Sequence, residues 1–221
     1  MSLALAKIMQ LSDSALPVGG YAFSHGIECA LKMGVIQSIR SLKSFIQGQL
    51  EQVADFDLPY IGSFYQNETI DEIATDYDIM MTNEFVRLSS IEQGKGWLRI
   101  IKQIYPDINL SIITKLSTDN ICPPHILVVM ALTLKQQIIS LSDLCTLYLF
   151  MQLRDQLSAA VRLGAIGSIE SQCILAEIET TFPKLLERFG NKRAGDAVRT
   201  TVLADIMQAN HGMLYSKIFR N

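Results

Sequence analysis

Between Leu11 and Glu28 the chain reads LSDSALPVGGYAFSHGIE, an apolar run interrupted by one proline and two adjacent glycines. Pro17 fixes its own φ and holds Leu16 extended, while Gly19 and Gly20 can take positive φ at little steric cost. No regular helix or strand passes through such a sequence. The stretch is a specified turn that offers Tyr21 and Phe23 to their surroundings, with Ser24 in position to cap a helix that follows. Two glycines and a proline lower the stability of an apolar segment, so the shape itself is what this sequence secures.

The turn does not carry a nucleotide fingerprint. No Gly-Lys-Ser/Thr follows the glycines and no strand pattern precedes them. Ser24 and His25 are sequence neighbours in a helical pattern, so their side chains point about 100° apart and do not form a nucleophile–base pair. No catalytic residue, cofactor or metal ligand set is expected. The four cysteines, Cys29, Cys122, Cys145 and Cys173, show no CxxC spacing and no histidine at ligand distance, which predicts mostly packed, reduced thiols.

Helical periodicity dominates the rest. Signals run from Ser24 to a basic last turn at Gly34, then from Ser38 or Ser41 through Leu42, Phe45, Ile46, Leu50 and Val53, with a kink or restart near Asp57 ahead of Pro59. Asn67 to Thr69 reads as a break, with Thr69 and Glu72 as a capping box. A helix from about Thr82 to Ile104 contains Gly94 and Gly96, each costing about 1 kcal/mol relative to Ala unless close contact requires it. Pro123-Pro124-His125 opens an apolar helix, with His125 a satisfied helix-start histidine. Ser142-Asp143 is expected to cap the next helix, which ends at Gly164. Residues 168–188 are expected to bury Ile169, Cys173, Ile174, Ile178, Phe182 and Leu185, with a split at Pro183. A last helix is expected from Asp196 to about Gln208, leading into a tail.

Hydrophobic residues make up 49% and charged residues 19%, a globular balance with a sizeable core. The apolar run Ile126 to Leu132 is too short to span a bilayer, and MSLALAKIMQ lacks the features of a secretory signal, so a cytoplasmic address without membrane contact is expected. A net charge of −3 argues against nucleic acid. Glu51 to Glu92 carries ten acidic residues and one basic, Arg188 to Arg220 six basic and two acidic, an asymmetry that suits meeting partners at different ends. The expected fold is all-α: a single domain over 1–221 of about eight to ten helices, with an N-terminal turn and a C-terminal tail.

The Leu11–Glu28 run resembles the N-terminal signature of the urease accessory UreF family. Three further segments match that family in register: Ser90, Gln93, Gly94, Leu98 and Arg99; Ser158-Ala159-Ala160-Val161-Arg162-Leu163; and Asp205, Ile206, His211, Tyr215, Ser216 and Phe219. The chain departs from it at Val128-Val129, where Phe-Gly is usual, at Gly212 for Glu, and at Lys217 for Arg.

The resemblance implies a non-enzymatic maturation factor, commonly dimeric. Such a factor bridges a UreD/UreH scaffold and a UreG GTPase, and enables nickel insertion into apo-urease, with GTP hydrolysis left to the partner. It further implies partner-binding roles for Pro17, Gly19, Gly20, Tyr21, Ser24, Glu28, Gln93, Gly94, Arg162, His211, Tyr215, Lys217 and Phe219. The tail, 210–221, is expected to become ordered only on the scaffold. The rival readings are an all-α small-ligand binder or enzyme that uses the glycine turn and His25, and a helical regulator unconnected with urease.

Overall fold

The computed structural model describes residues 3–66 and 69–220. Its centre is the helix α8, Ile126–Leu134, in which every residue is buried. A helix apolar on all sides needs partners on all sides. The main ones are α6 (Glu84–Ile104) and α4 (Leu58–Tyr65), and α9 (Leu141–Arg162) packs in turn on α4. Around them lie α1 (Leu3–Leu11), α2 (Ile27–Lys32), α3 (Ile39–Gln52), α5 (Ile70–Met80), α7 (Ser111–Thr118), α10 (Ser168–Glu179), α11 (Phe182–Phe189) and α12 (Val202–Ala209). The chain is all-α, and its buried apolar residues form one contiguous core. Among the described residues there are twelve α-helical segments against the eight to ten expected, because α7 lies in 107–122, for which no helix is inferred from sequence, and because breaks split longer stretches.

Local signals explain most boundaries. Ser38 accepts the Ser41 amide while the Ser41 hydroxyl accepts the Ser38 amide, a reciprocal cap that starts α3. Leu42, Phe45, Ile46, Leu50 and Val53 are all buried. The disturbance expected before Pro59 takes the form of a π turn, Val53–Asp57, between α3 and α4. Proline cannot donate to the carbonyl four residues back. The freed Asp55 carbonyl instead accepts the Val198 amide at 3.0 Å.

Several expectations need correction. Thr69 makes no side-chain cap to α5, and Asn67 and Glu68 lie outside the described residues. The cap of α9 is Ser140, not Ser142, with its hydroxyl accepting the Asp143 amide. In α10 the buried line is Ser171, Ile174 and Ile178, whereas Ile169 is 83% exposed and Cys173 is exposed too. A small serine in the buried stripe shifted the inferred face. The expected helix from Asp196 begins only at Val202, because Gln52 accepts the amides of Thr200 and Thr201 and holds 197–201 out of helix.

The charge asymmetry is largely internal. Asp55, buried, receives Arg188 in a forked contact and Lys192 at 3.2 Å, and Arg188 also reaches Glu51 at 3.5 Å. The basic segment thus lies along the acidic one instead of marking a separate end. Among the described residues no helix is long and apolar enough to cross a membrane.

Candidate functional site: the turn and the tail

The turn builds itself from short-range contacts and is then clamped from behind. The Asp13 carboxylate accepts the Ala15 amide at 2.8 Å, the Ala22 amide reaches Gly19 O, and Gly19 sits at φ +94°, a conformation glycine adopts without strain. Val18 is buried, and its carbonyl would lie 2.4 Å from a Cβ at Gly96 of α6. On the α9 side a Cβ at Gly20 would lie 2.7 Å from an Asp155 carboxylate oxygen. Gly96 and Gly20 are therefore close-approach glycines that seat the turn on two helices, leaving Tyr21 71% exposed. Gly96→Ala is expected to lift the turn off α6, speeding hydrogen exchange across Val18 to Ala22 more than it lowers thermal stability. Melting temperature and hydrogen exchange measured side by side check this.

Gly94 has a different neighbour. A Cβ there would fall 1.8 Å from the Pro124 carbonyl oxygen, so only glycine lets the start of α8 lie on α6. One turn earlier, Ser90 is 3.1 Å from His125 Nδ1, and His125 Nε2 is 2.8 Å from Asp78, which Arg87 also grips. With Nε2 donating to Asp78, Nδ1 accepts from the Ser90 hydroxyl. This Ser-His-Asp line escaped the sequence reading because its members are far apart in the chain. Ser90 and His125 are buried, and the line fastens α5, α6 and α8 together.

Ser24 is buried and does not cap α2. His25 at φ +52° and Gly26 at φ +81° insert a left-handed step, so α2 starts at Ile27. One residue on, Glu28 is fully buried, and this is the organising contact of the site. Its carboxylate accepts the Ile218 amide at 2.9 Å, the Phe219 amide at 3.2 Å and Lys32 Nζ at 2.9 Å, with His211 Nε2 at 4.0 Å. Burial works against ionisation, but Lys32 and the two amides outweigh it and hold the pKa below the ordinary glutamate value.

The tail is thereby folded back onto the turn. The Arg220 amide donates to Ala22 O at 2.9 Å, and Phe219 is 5% exposed. Between them stands Arg162, whose guanidinium lies 3.6 Å from the Tyr21 ring centre and 4.1 Å from that of Phe219. It also donates to Tyr21 O and Ser158 O. A planar cation stacked between two rings couples turn to tail directly. His211 is buried with Nε2 facing Phe219 O at 3.3 Å. Burial lowers its pKa, against the opposing pull of Phe219 O and Glu28.

The two departures in the tail have local reasons. A Cβ at Gly212 would come 2.8 Å from the Phe85 ring, and Lys217 Nζ donates to Gly212 O at 2.9 Å. The structure therefore brings Pro17, Gly19, Gly20, Tyr21, Ser24, Glu28, Arg162, His211, Tyr215, Lys217 and Phe219 into one region. Of these, Gly20, Ser24, Glu28, His211 and Phe219 are covered and reach a partner only through what they hold. Gln93 and Gly94 lie behind the turn in α6, also buried. The outward surface consists of Pro17, Gly19, Tyr21, Met213, Tyr215 and Ile218. Lys32, which the sequence reading passed over, was discoverable as the i+4 partner of Glu28.

His25 does not join this region. The open cleft beside the turn is lined by Ser14 to Tyr21 with Arg154, Asp155, Ser158 and Arg162. His25 faces an inner cavity instead, with Nε2 shielded and without a hydrogen-bond partner. Among the described residues no group of three or more His, Cys, Asp or Glu is arranged to hold a metal ion.

The family model UreF matches residues 36–179. Urease accessory protein F of Arabidopsis thaliana is 31% identical over 220 residues, covering 95% of this chain and 90% of that one. The UreF proteins of Rhodopseudomonas palustris and Yersinia enterocolitica are 25% and 27% identical, covering 100% and 98% of this chain and 92% and 98% of their own lengths. The chain belongs to the UreF family of urease accessory proteins.

Proposed function

We propose that the chain is a maturation factor that joins a UreD/UreH scaffold to the UreG GTPase and so enables nickel insertion into apo-urease. The observation that carries this reading is the joined turn and tail, an exposed aromatic and apolar platform fastened through Glu28 and Arg162. Apolar side chains held outward on a rigid base are what a protein interface needs at its centre. Tyr215 at 107% exposure and Met213 at 85% have nothing of their own chain to cover them. The scaffold takes the tail side and the GTPase takes the turn side. Nickel is the cargo, GTP hydrolysis belongs to the partner, and the chain by itself turns over neither GTP nor urea.

Light scattering on purified components tests the bridge. A stable ternary complex with scaffold and GTPase is expected, and binding of neither partner overturns the reading. Deleting the gene is expected to abolish urease activity in cells at ordinary nickel. The rival reading, a small-ligand site at the glycine turn and His25, loses its geometry because the two face different spaces.

The same reading includes a symmetric homodimer. Leu5 and Met9, one turn apart on the same face of α1, are 47% and 60% exposed, apolar side chains of the kind isologous contacts use. Sedimentation at micromolar concentration should give about twice the 24.7 kDa chain mass. A monomer both free and with scaffold bound removes the dimer.

A further inference from the structure

Behind the turn lies a partly open cavity of about 100 Å³ with a mixed lining, whose polar groups include His25, Asp57, Tyr77, Tyr148, Arg199 and Gln208. Its wall draws on the turn, the π turn, α3, α5, α6, α8, α9 and the root of the tail. Glutamines at 49, 52, 93, 152 and 156 add side-chain amides to it, beside apolar residues such as Phe56 and Ile126. A space this size with so many donors and acceptors holds several waters, each with the two to four partners a buried water requires. His25 Nε2, with no protein partner, is one group such water satisfies.

Asp57 is the anomaly in this wall. Its carboxylate accepts the Tyr77 hydroxyl at 3.2 Å, and among the described residues no cation is in ion-pair contact with it. Arg199, the nearby cation, is committed elsewhere: it grips Asp205 of α12 at 2.5 and 3.3 Å and lies 4.9 Å from the Phe56 ring centre. Asp205 O in turn accepts Asn83 Nδ2 at 3.0 Å, which ties α12 to the start of α6. An acid on one side of a hydrated space therefore faces an arginine that anchors the root of the tail.

We propose that this cavity is a hydrated proton-binding site: Asp57 releases its proton to the enclosed water, and the resulting carboxylate draws Arg199 from Asp205 and loosens α12. The proton leaves through the cavity water to solvent, and the negative charge left on Asp57 is met by the guanidinium. The groups facing Asp57 from neighbouring elements are Tyr77 on α5, Tyr148 on α9, His25 from the turn, and Arg199 and Asp205 at the tail root. Burial raises the pKa of both tyrosines well above the ordinary value and lowers that of His25. Desolvation pushes Asp57 up to about 7, against the opposing pull of Arg199 and Tyr77. A carboxyl raised in the fold is favoured while protonated, so the closed state is lost as pH rises through that value. This deepens the bridging function, since the tail it loosens is half of the proposed platform.

Hydrogen exchange on the free full-length chain tests it without either partner. After correction for intrinsic rates, residues 202–220 should open more as pH rises from 5 to 7, by up to about tenfold per pH unit, and level off above the transition. Asp57→Asn should flatten that dependence, and His211→Asn should leave it in place. Should Asp57→Asn fail to fold, carbon-13 carboxyl titration of the wild-type chain decides, with one aspartate expected to titrate near neutrality. Unchanged tail exchange in the wild type, a dependence that survives Asp57→Asn, or no carboxyl titrating near pH 7 overturns the proposal. A chain that keeps this pH dependence but binds neither partner overturns the bridging function alone.

Discussion

A chain carrying Gly94→Ala should lose about 3 kcal/mol of stability or more, at the upper end of what overpacking costs. The added methyl would stand 1.8 Å from the Pro124 carbonyl oxygen and 2.9 Å from the His125 carbonyl carbon. These are backbone atoms at the start of α8, so no flexible side chain can swing away. The helices must separate, and α6 against α8 is the broadest helix contact in the molecule. Separation also stretches the Ser90–His125–Asp78 line, which leaves buried polar groups without partners. For a chain of this size the loss corresponds to roughly 6–12 °C in melting temperature. Thermal unfolding followed by circular dichroism checks it. A shift under 2 °C would show that α8 is not fixed at this point. Gly164→Ala serves as the contrast: a Cβ there meets no atom within 4 Å, so only its positive φ of +70° matters and the cost is about 1–2 kcal/mol.

That contrast marks what a sequence can disclose. The two glycines of α6 stand out because helix propensity opposes them; the close helix contact inferred for them is found at Gly94, against the start of α8, whereas Gly96 meets the turn instead. Which backbone fills each gap is a long-range matter: Gly94 meets a loop thirty residues later, Gly96 the turn nearly eighty residues earlier. Caps and periodic stripes are equally legible, as Ser38 and the Leu42–Val53 face demonstrate, because their physics is contained within one or two helical turns. Where a distant side chain takes over the backbone, local signals fail. Gln52 holds residues 200 and 201 out of helix, and no neighbour of Asp196 announces it. The site followed the same division. The motif residues of turn and tail are visible in sequence, but their meeting through Glu28 spans some 190 residues. The stack of Arg162 between Tyr21 and Phe219 likewise exists only in the folded chain.

Glu28→Ala should detach the tail and with it the scaffold, while leaving the helical core folded. The carboxylate accepts the Ile218 amide and the Phe219 amide, and it neutralises Lys32. Removing the acceptor costs about 1–3 kcal/mol for each amide left without a partner in the interior, while Lys32, 37% exposed, can turn to water. Tail ordering has to be sustained against roughly 1–2 kcal/mol per residue fixed, and Phe219 alone cannot supply that. Scaffold affinity should therefore fall as far as it does on removing residues 210–221. Tyr21→Ala should separate the two functions: Glu28 still holds the tail, so scaffold binding persists, whereas GTPase recruitment and urease activation are lost. Arg162→Ala, which removes the stacked cation, should weaken both. Acid acts like the Glu28 variant. A carboxylate whose pKa is depressed in the fold stabilises above its unfolded value and loses that contribution as pH falls through the folded one. Wild-type scaffold binding should thus fade below about pH 4.5, and Glu28→Gln should lose most of that acid dependence. Pull-downs of each variant with each partner decide the matter. Wild-type scaffold affinity in Glu28→Ala, or undiminished GTPase recruitment by Tyr21→Ala, would leave the turn and tail as structure alone.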